Sequence, residues 1–163
     1  MTIHELLARD HARLDACLTA AVADPERIDD APYHEFRTGL LRHIAIEEKV
    51  LFAYLRGRSE PETESLIRVL HADHAAIASL LVPPPTHALI ATLRRVLGEH
   101  NPLEDAPGGL YDSCDRLAGA GVQELLDRMQ AIAPARASQY LDEPRIHAHI
   151  ERMLAARDEA RRR

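Results

Sequence analysis

Two histidine–glutamate pairs share one spacing, His43 with Glu47 and His100 with Glu104. Residues four apart on a helix stack on one face, with Cβ atoms about 5–6 Å apart. Each pair therefore aims an imidazole and a carboxylate the same way. Neutral imidazole nitrogen and anionic carboxylate oxygen are the donors a divalent cation takes up. The spacing becomes informative if the face that carries it is buried, and the elements around it decide that.

Four helices of similar length are predicted ahead of Pro107. Residues 3 to 22 carry the stripe Leu7, His11, Leu14 and Leu18, the periodicity of a helix with one apolar face. Thr2 and Glu5 form its capping box, and Asp24-Pro25 ends it. The second helix opens at Asp29-Asp30-Ala31-Pro32, with Asp30 or Ala31 at the cap and Pro32 in the first turn. Its stripe is Phe36, Leu40, His43, Glu47, Val50 or Leu51, and Tyr54. The third runs from about 61 to 82 along Ile67, Leu70, His74, Ile77 and Leu81, with His71 beside His74. Pro83-Pro84-Pro85 breaks the chain, and Thr86 caps a fourth helix carrying Leu89, Leu93, Val96, His100 and Glu104. Pro102 removes one backbone donor near its end.

Short loops between such helices make the expected fold all-α, an up-down-up-down four-helix bundle over residues 1–118. A helical piece around 110 to 118, a break at Gly119-Ala120-Gly121, a helix to about 133 and a last one from Pro144 complete the chain. Amphipathicity is weaker there. Residues 119–163 read as a C-terminal helical extension that packs on the bundle or offers a surface to a protein partner.

A chain of 163 residues can bury a sizeable core. Its net charge of −6 argues against nucleic-acid binding, which needs a basic footprint. The basic end, Arg157 to Arg163, reads as a solvated helix terminus. Cys17 and Cys114 fit no metal or redox spacing, and Met1-Thr2-Ile3-His4-Glu5 is no leader, so a reducing cytoplasm is expected. No apolar run approaches the ~20 residues that span a bilayer, so no membrane partner is expected. Ser113, Ser138 and Cys17 lack a histidine at helical spacing, so no catalytic nucleophile is assigned.

Each of the four helices puts a histidine in its apolar stripe, and two put a glutamate there as well. Helix carbonyls are already used by the helix itself, so these imidazoles cannot all find backbone partners. A buried carboxylate is costly unless neutralised. A cation meets both demands. Carboxylates from opposite helices suit bridging two ions about 3.5–4 Å apart. Histidine with carboxylate and no thiolate points to iron, with manganese or zinc behind it. Inward-facing Glu and His are how helical bundles hold a di-iron centre.

Four segments carry a resemblance: Asp10-His11-Ala12-Arg13-Leu14-Asp15; His43 to Glu47 followed by Leu51-Phe52; Asp73-His74-Ala75-Ala76-Ile77; and His100 to Glu104 followed by Leu110-Tyr111. Over about residues 3 to 118 the chain resembles the hemerythrin-like (HHE cation-binding) domain family. The resemblance implies a helical bundle around a carboxylate-bridged, non-haem di-iron centre. Members of that family carry oxygen, sense oxygen or iron, or help repair damaged iron centres. Position by position, His11, His43, His74 and His100 match the family's histidine ligands, and Glu47 and Glu104 its bridging carboxylates.

The third helix departs from the pattern. Oxygen-carrying members have two histidines four apart there, whereas His71 and His74 are three apart. Three-residue spacing still allows two side chains to aim at one centre, so His71 is either a fifth histidine ligand or a supporting or surface residue. Five histidines would leave an open position on one iron alone, which suits reversible oxygen binding. Four would open a second, which suits redox, nitric oxide or peroxide chemistry. A further departure, Ala106-Pro107-Gly108-Gly109, leaves Glu104 on a last helical turn.

Three functions follow. The first is binding or sensing of dioxygen or another small diatomic at a di-iron centre. The second is redox-active stress defence through iron-centre repair, nitric oxide or peroxide chemistry. The third is a metal-stabilised interaction module. Among the other polar residues, His4 shares the stripe of His11 about 10 Å along the axis and reads as a surface, capping or entrance residue. His34, His87, His147, His149 and Glu48 read as structural or solvent-facing. Tyr54 and Tyr111 are core residues or hydroxyls near the site. Asp10 and Asp73 read as caps or solvated groups rather than imidazole partners, because adjacent residues on a helix point apart.

Overall fold

The computed structural model describes residues 1–163, and every regular element in it is a helix. Helix α1 spans Ile3–Ala21, closed at its start by the reciprocal Thr2–Glu5 capping box. Helix α2 spans Asp30–Ile46 and continues through a π-helical segment, Glu47–Phe52, into a final turn, Ala53–Leu55. Its cap is Asp29, one residue earlier than expected, because that carboxylate reaches the Ala31 N–H at 3.2 Å. Helices α3 (Pro61–Leu80), α4 (His87–Asp105), α5 (Leu110–Ala118), α6 (Val122–Gln130) and α7 (Pro144–Arg162) follow. No helix is long and apolar enough to cross a membrane.

The core consists of two apolar clusters. One contains Leu7, Ile46, Val50, Leu70 and Leu110; the other contains Leu14, Leu40, Ile77 and Val96. Along α1 and α3 the buried stripe passes from the first cluster to the second, and along α2 and α4 from the second to the first. His11, His43, His74 and His100 each fall at the crossing. A polar belt is thereby held between two layers of leucine, isoleucine and valine.

The π segment decides what α2 offers to that belt. An i→i+5 turn carries one more residue than an α turn and locally rotates the side chains. Val50, Leu51 and Phe52 are all buried in consequence, where a regular α-helix would have buried one of the first two. Helices α5 and α6 have sharper apolar faces than expected: Leu110, Tyr111, Cys114, Leu125, Leu126 and Met129 join the first cluster. Helix α7 lies along α3, and it corrects the reading of its basic end at Arg157 and Arg161, while Arg162 and Arg163 are exposed as expected. Arg157 is buried, with Nε 2.8 Å from Asp73 Oδ1 and Nη2 2.6 Å from Glu99 Oε2. Arg161 pairs with the same aspartate. A guanidinium can be buried only against such acceptors, and the acceptors lie on α3 and α4.

Candidate metal centre

The belt is assembled by a ring of charge-assisted hydrogen bonds. The Nδ1–H of His43 on α2 donates to Asp10 on α1 at 2.9 Å. His74 on α3 donates to Glu48 on α2 at 2.8 Å. His100 on α4 donates to Asp73 on α3 at 3.1 Å, and His11 on α1 donates to Asp105 on α4 at 2.8 Å, which closes the circuit. A carboxylate only accepts, so each Nδ1 must carry the proton and each Nε2 is left to face inward.

Each of these acids is the sequence neighbour of an inward-facing residue: Asp10 of His11, Glu48 of Glu47, Asp73 of His74, Asp105 of Glu104. Adjacent helical residues do point apart, and that divergence carries the carboxylate to the next helix. Asp10 and Asp73 are therefore imidazole partners, contrary to the expectation that they cap or face solvent. Glu48 is not solvent-facing either, because the π turn brings it under His74.

Inside the ring, the imidazoles form two pairs around two glutamates. Glu47 places Oε1 3.3 Å from His43 Nε2 and Oε2 3.2 Å from His74 Nε2. Glu104 places Oε2 3.5 Å from His11 Nε2 and Oε1 3.2 Å from His100 Nε2. Each carboxylate thus gives one oxygen to each pair. Donor atoms of His11, His43, Glu47 and Glu104 lie within 4.8 Å of one another, as do those of Glu47, His74, His100 and Glu104. Both glutamates are fully buried and His43, His74 and His100 nearly so, while the His11 side chain is 9 % exposed.

Three of the atoms that face inward have no hydrogen-bond partner: Glu47 Oε2, His74 Nε2 and Glu104 Oε1. All three belong to the His74–His100 group. Buried polar atoms are rarely left unpaired, and three around one point, two carboxylate oxygens and one imidazole nitrogen, are the donor types that a divalent cation takes up.

Electrostatics point the same way. Burial disfavours the charged form of His43, yet the Glu47 carboxylate and the bond to Asp10 outweigh it and raise its pKa to about 10. Burial likewise opposes the charge on His74, and Glu104, Glu47 and Glu48 nonetheless hold it well above the ordinary histidine range. His100 is raised too, against burial, by Glu104 and Asp73. For Glu47, burial and the charge of Glu104 push upward, but the histidines prevail and bring it to about 2. Glu104 is held low against burial by His100, His11 and His74. Protons on imidazole thus neutralise the carboxylates when no cation does, and a divalent ion would replace them.

Of the two tyrosines that the sequence left open between core packing and a place near the site, Tyr111 is the one whose hydroxyl reaches the belt. Its hydroxyl donates to Glu47 Oε1 at 2.5 Å and lies 3.2 Å from Glu104 Oε2 and 3.3 Å from the Nε2 atoms of His11 and His43. It sits on α5, beyond the four helices that supply the other groups. The turn before it doubles back on α4 so closely that a Cβ on Gly109 would stand 2.6 Å from the Glu104 carbonyl oxygen. Gly108, at φ +81°, takes a conformation that suits glycine alone. The Pro-Gly-Gly run just after Glu104 was the available signal, marking a reversal that returns the chain to the same end of the belt. The Tyr54 hydroxyl, by contrast, bonds to the Leu117 carbonyl.

Of the residues singled out in the sequence, His11, His43, Glu47, His74, His100 and Glu104 converge. His71 does not. Its side chain is 71 % exposed and bonds to the outer side of Glu48 at 2.9 Å. Three residues from His74 is about 60° short of a full helical turn, enough to carry the ring past the belt edge. His4 pairs with Asp112, and His34, His87, His147 and His149 are exposed. An open cleft is lined by His11 together with Leu14, Phe36 and Leu40 on its apolar side and Asp15, Arg94 and Asn101 on its polar side.

A family model for the hemerythrin HHE cation-binding domain matches residues 2–130. No curated protein and no solved structure matches the chain. The match takes in all four histidines, both glutamates, the four acids that orient the imidazoles, and Tyr111, and the chain belongs to the hemerythrin HHE cation-binding domain family.

Proposed function

We propose that the chain holds two iron ions in a carboxylate-bridged centre and takes a small diatomic ligand there, dioxygen foremost. The observation that carries this is the division of Glu47 and Glu104, each with one oxygen toward His11 and His43 and the other toward His74 and His100. Bridging carboxylates need that division. His11 and His43 would hold one ion and His74 and His100 the other, with imidazole and carboxylate donors favouring iron over softer metals.

When bound, a pair of iron ions supplies electrons to, or shares them with, a dioxygen-sized ligand. The protein's part is to prepare that. Asp10, Glu48, Asp73 and Asp105 fix each ring so that Nε2 points inward. The two apolar layers flank the belt, and the cleft that His11 helps to line would give a small molecule a way toward it. The alternation of stripe direction between successive helices supports the up-down-up-down order, because neighbours that cross the same two layers in opposite senses run antiparallel.

A second reading, redox-active defence against nitric oxide or peroxide, is favoured by one observation: four imidazoles converge rather than five, and His71 stays outside. Fewer protein donors leave more of the centre reactive. Mixing anaerobic, ferrous-loaded protein with dioxygen separates the two. A visible band that forms and is reversed by removing the gas identifies binding or sensing. Irreversible oxidation, or turnover of added nitric oxide or peroxide, identifies the redox protein. Failure to bind iron, with a redox-inert ion held instead, rejects both.

A further inference from the structure

The Tyr111 hydroxyl is placed unlike any other group around the belt. It is within 3.3 Å of both imidazole nitrogens of the His11–His43 pair, and it touches one oxygen of each glutamate, the oxygen that faces that pair. It forms no hydrogen bond with His74 or His100. Those two histidines surround the unpartnered atoms Glu47 Oε2, His74 Nε2 and Glu104 Oε1, whereas the inward atoms of the His11–His43 group all meet the phenol oxygen. The two halves of the centre are therefore built differently.

Packing alone does not account for this position. Tyr111 is fully buried, and its hydroxyl could not be left dry without partners. A phenylalanine would fill the same apolar volume without bringing an oxygen between two carboxylates. The backbone is committed to the placement as well, through the close approach of Gly109 to the Glu104 carbonyl and the left-handed Gly108 before it.

We infer that Tyr111 is a metal ligand, binding as phenolate the cation shared by His11, His43, Glu47 and Glu104. This rests on the proposed two-cation centre and adds a donor to it. On binding, the O–H bond breaks, its proton leaves to solvent, and the oxygen lone pair forms the metal bond, with no change of oxidation state. The His11–His43 ion then has five protein donors and the His74–His100 ion four. The tyrosine supplies on one side the donor that His71 does not supply on the other.

The test uses the full chain loaded anaerobically with ferrous iron and then oxidised with ferricyanide. A ferric phenolate absorbs in the visible by charge transfer from ring to metal, and excitation into that band enhances tyrosinate ring modes in the resonance Raman spectrum. The wild-type protein should show both, and Tyr111→Phe should lose both while still binding iron. Two irons per wild-type chain without the band or the ring modes would overturn the tyrosine ligand and leave the centre standing. No bound iron would overturn both. If Tyr111→Phe fails to fold, the wild-type Raman spectrum decides alone, since no other tyrosine lies in the belt.

Discussion

Replacing Arg157 by methionine removes a buried cation from Asp73, which in turn holds His100. Both side chains are sealed from solvent, at 1 % and 0 % exposure, and Nε to Oδ1 is 2.8 Å. Removing one partner of a buried pair costs about 3–5 kcal/mol, because the other charge stays unpaired in a poorly solvating interior. Asp73 keeps Arg161 and the His100 ring, so the lower end, about 3 kcal/mol, is expected. For a chain of this size each kcal/mol moves Tm by about 2–4 °C, which gives a fall of about 6–12 °C. Methionine preserves most of the buried stem, so the loss reports charge rather than packing. Urea denaturation of wild type, Arg157→Met, Asp73→Asn and the double variant checks this. The double variant should be less damaged than the sum of the singles by at least about 1 kcal/mol, since an amide no longer needs the guanidinium. A single-variant loss below about 0.5 kcal/mol, or strict additivity, would show that α7 does not support the belt through this pair.

Three other outcomes are expected. In chelator-treated protein, His43 is raised from 6.5 to about 10, so its contribution to stability is full below about pH 6.5 and is lost as pH rises toward about 10. Glu47, lowered from 4.5 to about 2, contributes above about pH 4.5 and stops doing so as pH falls toward about 2. Metal affinity should run the other way and grow with pH, because the imidazoles must shed protons to bind. Denaturation midpoints and metal titrations across that range would show parallel slopes if this is wrong. His71→Ala should leave metal content unchanged and stability within about 0.5 kcal/mol, as its ring is exposed; loss of an ion by elemental analysis would restore it as a ligand. Gly109→Ala forces a Cβ against the Glu104 carbonyl, a contact of 2.6 Å between atoms that cannot both stay, and should cost about 1–3 kcal/mol. An unchanged melting temperature would mean that the turn has more room than the structure allows.

The helices were legible because their stripes and caps are local: the Thr2–Glu5 box, Pro61 at a helix start and Thr86 as cap all act within one turn of chain. The six convergent residues were legible because each occupies a leucine position, where a polar group has no other reason to be. What was missed depends on the neighbouring helix. Asp10 looked idle beside His11, and nothing on α1 says that His43 lies across from it. Glu48 was hidden by the π turn, which breaks the periodicity that assigned it to solvent. His71 stayed open between ligand and surface for a related reason: its angle relative to His74 matters, and spacing alone does not fix it. Arg157 read as surface because its partners, Asp73 and Glu99, are 84 and 58 residues away in the chain. Tyr111 was named but left open between core and site, because a run of Pro and Gly announces a reversal of direction without aiming it.

Counting the metal bound to each chain, by elemental analysis of protein purified without added metal, goes straight to the premise that the imidazoles and carboxylates are there for cations. Two iron ions per chain, both absent when His43→Ala is combined with Glu47→Ala, is the result expected from the shared glutamates. A wild-type chain that carries no ion, or one whose metal survives that double substitution, would contradict it.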